Sequence, residues 1–537
     1  RIPLPPALYA PGRRNSKGTE FGHRRELDAL LAGIAAAQGE VAARPLTAVA
    51  ATASEPRRLL SPVDGATPIG TVADLREEAI DAVMDAAEEG FRAWSRKPAV
   101  ERAAILDRMS HLLEAERDGL IALLAREGGK TLADGVAEVR EAVDFCRYYA
   151  AEARRLFGTG EPMPGPTGER DILAYRGRGV FACISPWNFP LAIFLGQVTG
   201  ALAAGNAVVA KPAEQTPLIA FRAVELLHAA GVPEAALQFA PGDGRVGATL
   251  VSHPAIAGVA FTGSTEVAWA INRTLAAKDG PIVPLIAETG GINAMIVDAT
   301  ALAEQVCDDA VSSAFRSAGQ RCSALRLLCL QDEVAEPMLR MIAGAAAELA
   351  LGDPADPATD IGPVIDVEAR AGLEAYLAEV AKAPWAKLRH AGELPGGALA
   401  GGTYVAPHIV EIDTPSRLTR EVFGPILHVL RWKARDLDPL MEAIAATGYG
   451  LTLGVHTRID DTARRVVARL PVGNVYVNRN MIGAVVGTQP FGGSGLSGTG
   501  PKAGGPDYLR RFAQEQVVST NTAAAGGNAS LIAMDDG

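Results

Sequence analysis

The sequence predicts an α/β protein in which two parallel sheets are wound one after the other, and three observations carry that expectation. Short apolar strands alternate with helical runs from about residue 179 onward, a rhythm that right-handed crossovers turn into a parallel sheet. A chain of 537 residues is several times a typical domain, so roughly two to four folding units and an ample core are expected. Polar and glycine-rich groups recur at the strand ends, where ligands of such sheets collect.

Taken in order, residues 1–44 read as an N-terminal arm or linker. Their basic cluster, Arg13, Arg14, Lys17, Arg24 and Arg25, reads as a solvated arm. Residues 45–157 and 179–287 read as a Rossmann-like nucleotide-binding domain. In its first part, AIDAVMDAAEEGFRAW and RAAILDRMSHLLEAERDGLIALLAREGG repeat apolar residues at three- and four-residue spacing, and Gly128 and Gly129 end the second run. Residues 158–178 are rich in Gly and Pro and read as a protruding flap. The strands GVFACI, AVVA, LQFA and GVAF then alternate with helices. Residues 189–210 carry no charge and are long enough to cross a bilayer. Gln197, Thr199 and Asn206 are polar, however, and Gly205 stands where a helix would stop, so a buried helix and a buried strand are expected rather than a membrane span. A second strand and helix alternation starts near Leu285 and runs to about Asn478; residues 288–478 read as the catalytic domain. Residues 505–520, with the flap, offer exposed edges that could pair between subunits, and residues 521–537 form a low-complexity tail.

Composition excludes several classes. The net charge of -11 is mild for the length, and dispersed Lys and Arg leave no electrostatic footprint for nucleic acid. The five cysteines are scattered without a CxxC pair, which argues against zinc or a disulfide framework and for a reducing, cytoplasmic setting. No export leader is read before Arg1, and the chain reads as a piece of something longer.

Four successive strand ends carry SPWN, KPAE, PGDG and TGST. GDGRVG, with Gly244 and Gly247, matches the dinucleotide fingerprint but lacks its acidic partner about twenty residues on, so a plain tight turn competes with a cofactor contact. At Gly263 and Ser264 the backbone can approach phosphate at a helix N-terminus, or Ser264 can simply cap that helix. Lys211 can donate to ribose hydroxyls and Glu214 can accept from the 2′-hydroxyl, favouring NAD over NADP, unless the two form a surface ion pair. Among the cysteines, Cys322 alone has a polar, flexible flank, Gly319, Gln320 and Arg321, in which Arg321 could help to hold a thiolate. Cys146, Cys183, Cys307 and Cys329 lie on apolar periodic stretches and are assigned to packing. A thiolate adding to a carbonyl needs oxyanion donors, which Asn188 and a backbone N–H could supply. Glu288, between an apolar strand and a glycine pair, is a candidate base with a raised pKa. Glu421 reads as a cofactor ligand or as half of an exposed pair with Arg420 or Lys433.

Together ISPWNFP, KPAEQTP, FTGSTE, ETGG with Asn293 behind it, GQRCS, EVFGP and PFGGSGLSG resemble the aldehyde dehydrogenase superfamily over roughly residues 45–520. RRNSKG, GTQPFGGSGLSGTGPKAGGPDYLRRF and the tail are most similar to its branch acting on L-glutamate γ-semialdehyde. The resemblance implies the aldehyde dehydrogenase fold, with an NAD domain, a catalytic domain and a β-flap that builds dimers. It also implies a full-length chain that can carry a proline dehydrogenase domain as well. It makes Cys322 the nucleophile, Asn188 with the Cys322 N–H the oxyanion hole, and Glu288 the base for thioester hydrolysis. Lys211 and Glu214 would hold the adenosine ribose, Ser264 the pyrophosphate and Glu421 the nicotinamide ribose. The same motifs extend the cofactor set to Ile184, Ser185, Pro186, Trp187, Ala213, Gly244, Gly247, Phe261, Thr262, Gly263, Gly290 and Phe423. Ser323, with Gly492, Gly493 and Ser494, would grip the substrate carboxylate, Glu141 would face its amino group, Phe189 and Phe491 would flank its chain, and Arg321 would line the same site. Ala268 stands where many relatives have glycine. Rival readings are an oxidiser of another short semialdehyde, one that passes its acyl group to coenzyme A, and a non-catalytic nucleotide-binding scaffold.

Overall fold

The computed structural model describes residues 3–37, 39–165, 169–522 and 524, so the expected tail lies almost wholly outside the described residues. Five parallel strands form the first sheet, in the order Leu285–Glu288, Ile256–Thr262, Val180–Ile184, Ala207–Lys211 and Leu237–Phe239. Both faces are covered, and the apolar strands alternate between them. Phe181, Cys183, Val208 and Ala210 face the cluster holding the helices Leu132–Leu156, Ala192–Ala203 and Pro217–Ala230. Val180, Ala182, Ala207 and Val209 face the one with Ile80–Trp94, Gly244–Ser252 and Thr265–Ala276. Burial on both faces is why these strands read as continuous apolar runs.

The register lines up the strand ends. Ile184 stands opposite both Lys211 and Phe261, and Thr262 opposite Glu288. The motifs at these ends are thereby set side by side along one edge.

The second alternation begins one strand later than expected. Leu285–Glu288 pairs with the first sheet, and the second sheet opens at Ala294–Val297. Four residues of apolar strand suit either sheet; the glycine pair after Glu288 is where the chain crosses over. The second sheet has seven strands, parallel except for the antiparallel edge strand Ala386–Ala391.

The uncharged stretch is the helix Ala192–Ala203 and the strand Ala207–Lys211, joined through Gly205 at φ 90. At 1.5 Å per residue that helix is about 18 Å long, short of a bilayer. No helix among the described residues is long and apolar enough to cross a membrane.

Glu161–Met163 and Glu169–Gly177 form the flap, and the C-terminal strand Ala513–Asn521 pairs antiparallel along its whole length with the second of these. The two edges expected to seek another subunit thus satisfy each other within one chain, leaving the outer edges of the three-stranded sheet open. Fully buried Asn206 ties the flap to the core. Its Oδ1 accepts from the N–H groups of Arg178 (2.6 Å) and Gly179 (3.2 Å), and its Nδ2 donates to the carbonyls of Ala201 (3.1 Å) and Phe512 (2.9 Å). Each buried backbone group left unpaired costs about 1–3 kcal/mol. Asn206→Ala is therefore expected to lower unfolding free energy by about 3 kcal/mol or more, measured by urea denaturation.

Candidate active site

Cys322 is delivered by a strained turn. After the helix Ala303–Phe315, Ser317, Ala318 and Gly319 take φ values of 55, 54 and 66, a region that costs roughly 1–2 kcal/mol for each non-glycine residue. Gly319 is required there, because a Cβ would sit 2.2 Å from the Gly424 carbonyl oxygen. Buried Asp134 holds the turn in place. Its Oδ2 accepts from Ser317 Oγ (2.7 Å) and its Oδ1 from Arg321 Nη2 (2.7 Å) and Arg316 Nη2 (3.0 Å). Burial would raise this carboxyl, but Arg321 and Arg316 hold it well below the usual carboxylate range. Beyond the turn, Asn293 Nδ2 donates to the carbonyls of Cys322 (2.6 Å) and Ala324 (2.9 Å).

This geometry corrects the expectation that Arg321 holds a thiolate. Its guanidinium is engaged by Asp134 and, through Nε at 2.9 Å, by Ser317 Oγ. Burial, then the carboxylates of Glu421, Glu288 and Glu141, push the Cys322 thiol up to about 12. The other four cysteines are free and buried, as assigned.

Asn188 Nδ2 donates to the Gln320 carbonyl at 3.2 Å, which brings the carboxamide next to the nucleophile turn. Its loop is pinned at both ends by a buried ion pair. Lys130 Nζ donates to the Asn188 carbonyl and lies 3.7 Å from Glu138, whose Oε1 accepts from the N–H groups of Leu191 (2.9 Å) and Ala192 (3.3 Å). Lys130 and Glu138 were not legible as site residues. The available signal was the row Asp134, Glu138, Glu141 at i, i+4, i+7 on one helix face.

Glu288 ends its strand with Oε2 accepting from the Gly493 N–H at 3.2 Å and Oε1 buried without a partner. Burial raises its pKa well above the ordinary value, against the opposing pull of Gly493 and Lys502. Of the residues expected to grip a substrate carboxylate, Gly492 and Gly493 lie against Glu288. A Cβ on Gly492 would lie 2.7 Å from Glu288 Oε1, so these glycines wrap the base, and Ser494 Oγ turns away to donate to the Pro471 carbonyl (3.2 Å).

Two cavities meet at the sulfur. The first, ≈ 450 Å³, brings Pro186, Trp187, Thr262, Gly263, Ser264, Gly290, Glu421 and Phe423 around Asn188 and Cys322, together with Arg420, and adds Thr289 and Tyr449, which the sequence did not single out. The second, ≈ 320 Å³, collects Glu141, Phe189, Glu288, Arg321, Ser323 and Phe491, together with Arg140, Asp144 and Arg316. Cys322, Thr262 and Thr289 line both. Among the described residues no donor reaches Glu141, and burial, then Glu138, pushes it up to about 7.

Glu421 pairs with neither Arg420 nor Lys433. Buried Arg326 holds its Oε1 at 3.1 Å and donates as well to the carbonyls of Gly424 and Arg321. Burial pushes Glu421 up to about 7, with Arg326 opposing. At the carboxyl ends of the strands Ile184 and Lys211 are register partners and Ser185 N–H donates to the Lys211 carbonyl at 3.1 Å. Ala213 follows Lys211 half-buried, and Glu214 is exposed. A Cβ on Gly247 would already lie 3.2 Å from Lys211 Cδ, so this glycine leaves the lysine its room, while Gly244 only opens a helix capped by Asp243. Phe261 is buried in the core beneath the Gly263 turn rather than on the cavity wall. Ser264 Oγ accepts from Val267 N–H at 3.3 Å, capping the helix Thr265–Ala276. This helix N-terminus opens into the first cavity beside a closely approaching glycine, a donor set that fits a pyrophosphate.

The chain belongs to the aldehyde dehydrogenase family, whose profile matches residues 49–518. It is 48% identical over 520 residues to the bifunctional protein PutA of Escherichia coli (strain K12), covering 95% of this chain and 38% of that protein. A crystal structure of a bifunctional proline utilization A protein superposes with a TM-score of 0.89 at 60% identity, covering 98% of this chain and 50% of that one. The chain thus spans half or less of these relatives. The 1-pyrroline-5-carboxylate dehydrogenase from Thermus, solved with bound NAD, is 34% identical at a TM-score of 0.88, covering 95% of this chain and 99% of that one.

With a thiol raised to about 12, the thiolate fraction grows about tenfold per pH unit below that value. Alkylation of Cys322 by iodoacetamide without cofactor is expected to accelerate in that proportion between pH 7 and 9, followed by peptide mass spectrometry.

Proposed function

We propose that the chain oxidises L-glutamate γ-semialdehyde, the hydrolysed open form of 1-pyrroline-5-carboxylate, to L-glutamate with NAD. The observation that carries this reading is the single thiol shared by two cavities, with a carboxamide beside it and a buried carboxylate on the wall of one. The names of relatives, one of them solved with bound NAD, support the substrate and cofactor.

Cys322 Sγ, deprotonated, adds to the aldehyde carbon, and Asn188 Nδ2 and the Cys322 N–H donate hydrogen bonds to the developing oxyanion. The Ser264 helix end, Glu421, Lys211 and Glu214 would hold NAD, which would supply the hydride acceptor. Loss of hydride from the carbon leaves a thioester on Cys322. Glu288 takes a proton from water, the hydroxyl adds to the thioester carbon, and the C–S bond breaks to release the acid. Burial raises the pKa of Glu288, the direction that strengthens it as a base. Glu141 receives the α-amino group, Ser323 and the Arg321 wall face the α-carboxylate, and Phe189 and Phe491 flank the carbon chain. A swing of Glu288 toward Cys322 frees the Gly493 N–H for the same carboxylate.

The finer setting is part of this reading. The chain's 38% share of a bifunctional relative supports a proline dehydrogenase domain on the same full-length chain. The open outer edges of the flap sheet support a homodimer, and five free cysteines support a cytoplasmic location.

NADH formation over aldehydes that differ only in an α-amino acid head group, with and without coenzyme A, is the test; the amino acid aldehyde is expected to be preferred and coenzyme A to add nothing. A normal rate in Cys322→Ala would sink the mechanism. Asn188→Ala is expected to lose about a hundredfold or more in kcat while unfolding normally. Glu288→Gln is expected to give one burst of NADH and an acylated Cys322 visible by mass spectrometry.

A further inference from the structure

The RRNSKG stretch has no part in the chemistry above; Arg14 and Lys17 are exposed, as a solvated arm would leave them, but Arg13 is not. Arg13 and Asp144 form an ion pair at 2.6 Å with only 7% and 10% of their side chains exposed. Ser16 Oγ donates to the other oxygen of Asp144 at 2.7 Å, so residues of the arm hold both carboxylate oxygens. Arg13 Nη2 also donates to the Val486 carbonyl (2.6 Å), and the guanidinium lies 3.8 Å from the centre of the Tyr9 ring. Thr488 Oγ1 donates to Tyr9 OH at 3.3 Å. Farther along, Arg147 Nη1 donates to the Asn15 carbonyl (3.1 Å) and Arg140 Nε to Ser16 Oγ (3.2 Å).

The partners of the arm belong to the aldehyde-side cavity. Asp144, Arg140 and Val486 line it, and Asp144 sits one helical turn from Glu141 on the same wall. Without the arm, Asp144 would be a third carboxylate on the cavity wall, beside Glu141 and Glu288, with both of its oxygens stripped of the partners that Arg13 and Ser16 supply, and the loop carrying Val485 and Val486 would lose its Arg13 tie to the helix. A lone buried charge is far costlier than a paired one, so the wall would have to open or take up a cation.

We propose that residues 9–16 form a strap that completes the aldehyde-side cavity, with Arg13 the positioning residue that neutralises Asp144 and fastens the 485–488 loop to the long helix. The proposal deepens the functional reading, since it rests on Cys322 being reached through this cavity.

The test compares wild type with Arg13→Gln, Arg13→Lys, Asp144→Asn and the Arg13→Gln/Asp144→Asn double variant. The first readout is the ratio of Cys322 alkylation rates by anionic iodoacetate and neutral iodoacetamide, in the presence of NAD. Arg13→Gln is expected to lower the ratio about three- to tenfold, Asp144→Asn to raise it, and the double variant and Arg13→Lys to return it close to wild type. The second readout is kinetic: Arg13→Gln is expected to cut kcat/KM for the amino acid aldehyde on the order of tenfold and to leave KM for NAD within about twofold. An unchanged alkylation ratio in both single variants overturns the strap, as does a loss confined to thermal stability and KM for NAD. If Arg13→Gln does not fold, Asp144→Asn and Arg13→Lys decide it by the sign of their ratios. If wild type fails to oxidise the semialdehyde while the ratios move as described, the substrate assignment falls and the strap stands.

Discussion

The site depends on one buried carboxylate. Asp134 takes a hydroxyl and two guanidinium groups from the turn before Cys322, and that turn contains two non-glycine residues in left-handed conformation. Such conformations persist only where the surroundings over-determine them. Asp134 is also part of the long helix that carries Glu138, Glu141 and Asp144. A single helix therefore fixes the Cys322 turn, the Asn188 loop and one wall of the cavity that holds Glu141. Rigid common support of this kind keeps groups that are remote in sequence in mutual register.

Electrostatically the sulfur is surrounded by negative potential. Glu421, Glu288 and Glu141 all act to keep the thiol protonated, and each of those carboxyls is itself raised by burial. The nearest guanidinium groups are committed elsewhere, Arg321 to Asp134 and Arg326 to Glu421. In such a setting a thiol favours its protonated form, and positive charge brought close would favour the thiolate.

Legibility followed sequence distance. The strand ends, Cys322, Asn188 and Glu288 could be read because each sits in a short motif whose composition carries its own reason: a polar turn after an apolar strand, or a flexible approach to a thiol. Arg13, Lys130 and Arg326 could not, because their meaning lies in partners 131, 58 and 95 residues away. Arg321 was misjudged for the same reason, since Asp134 is 187 residues off. The glycine-rich loop 492–494 was legible as a loop, but its contact with Glu288 was not, since the partner of Gly493 lies 205 residues away. The strand at 285–288 joins the first sheet although the second alternation was expected to open there, because strand composition does not record which sheet a strand joins.

The pairing of Glu169–Gly177 with Ala513–Asn521 has a kinetic side. The earlier strand leaves the ribosome more than three hundred residues ahead of its partner, at an elongation rate of roughly 5–20 residues per second. For tens of seconds it is a bare ladder of amide and carbonyl groups beside a maturing core, the kind of edge on which nascent chains stick to one another. Closure of the flap is then among the last long-range events of folding, and crowded synthesis or a slow late stretch of translation would tax this seam first.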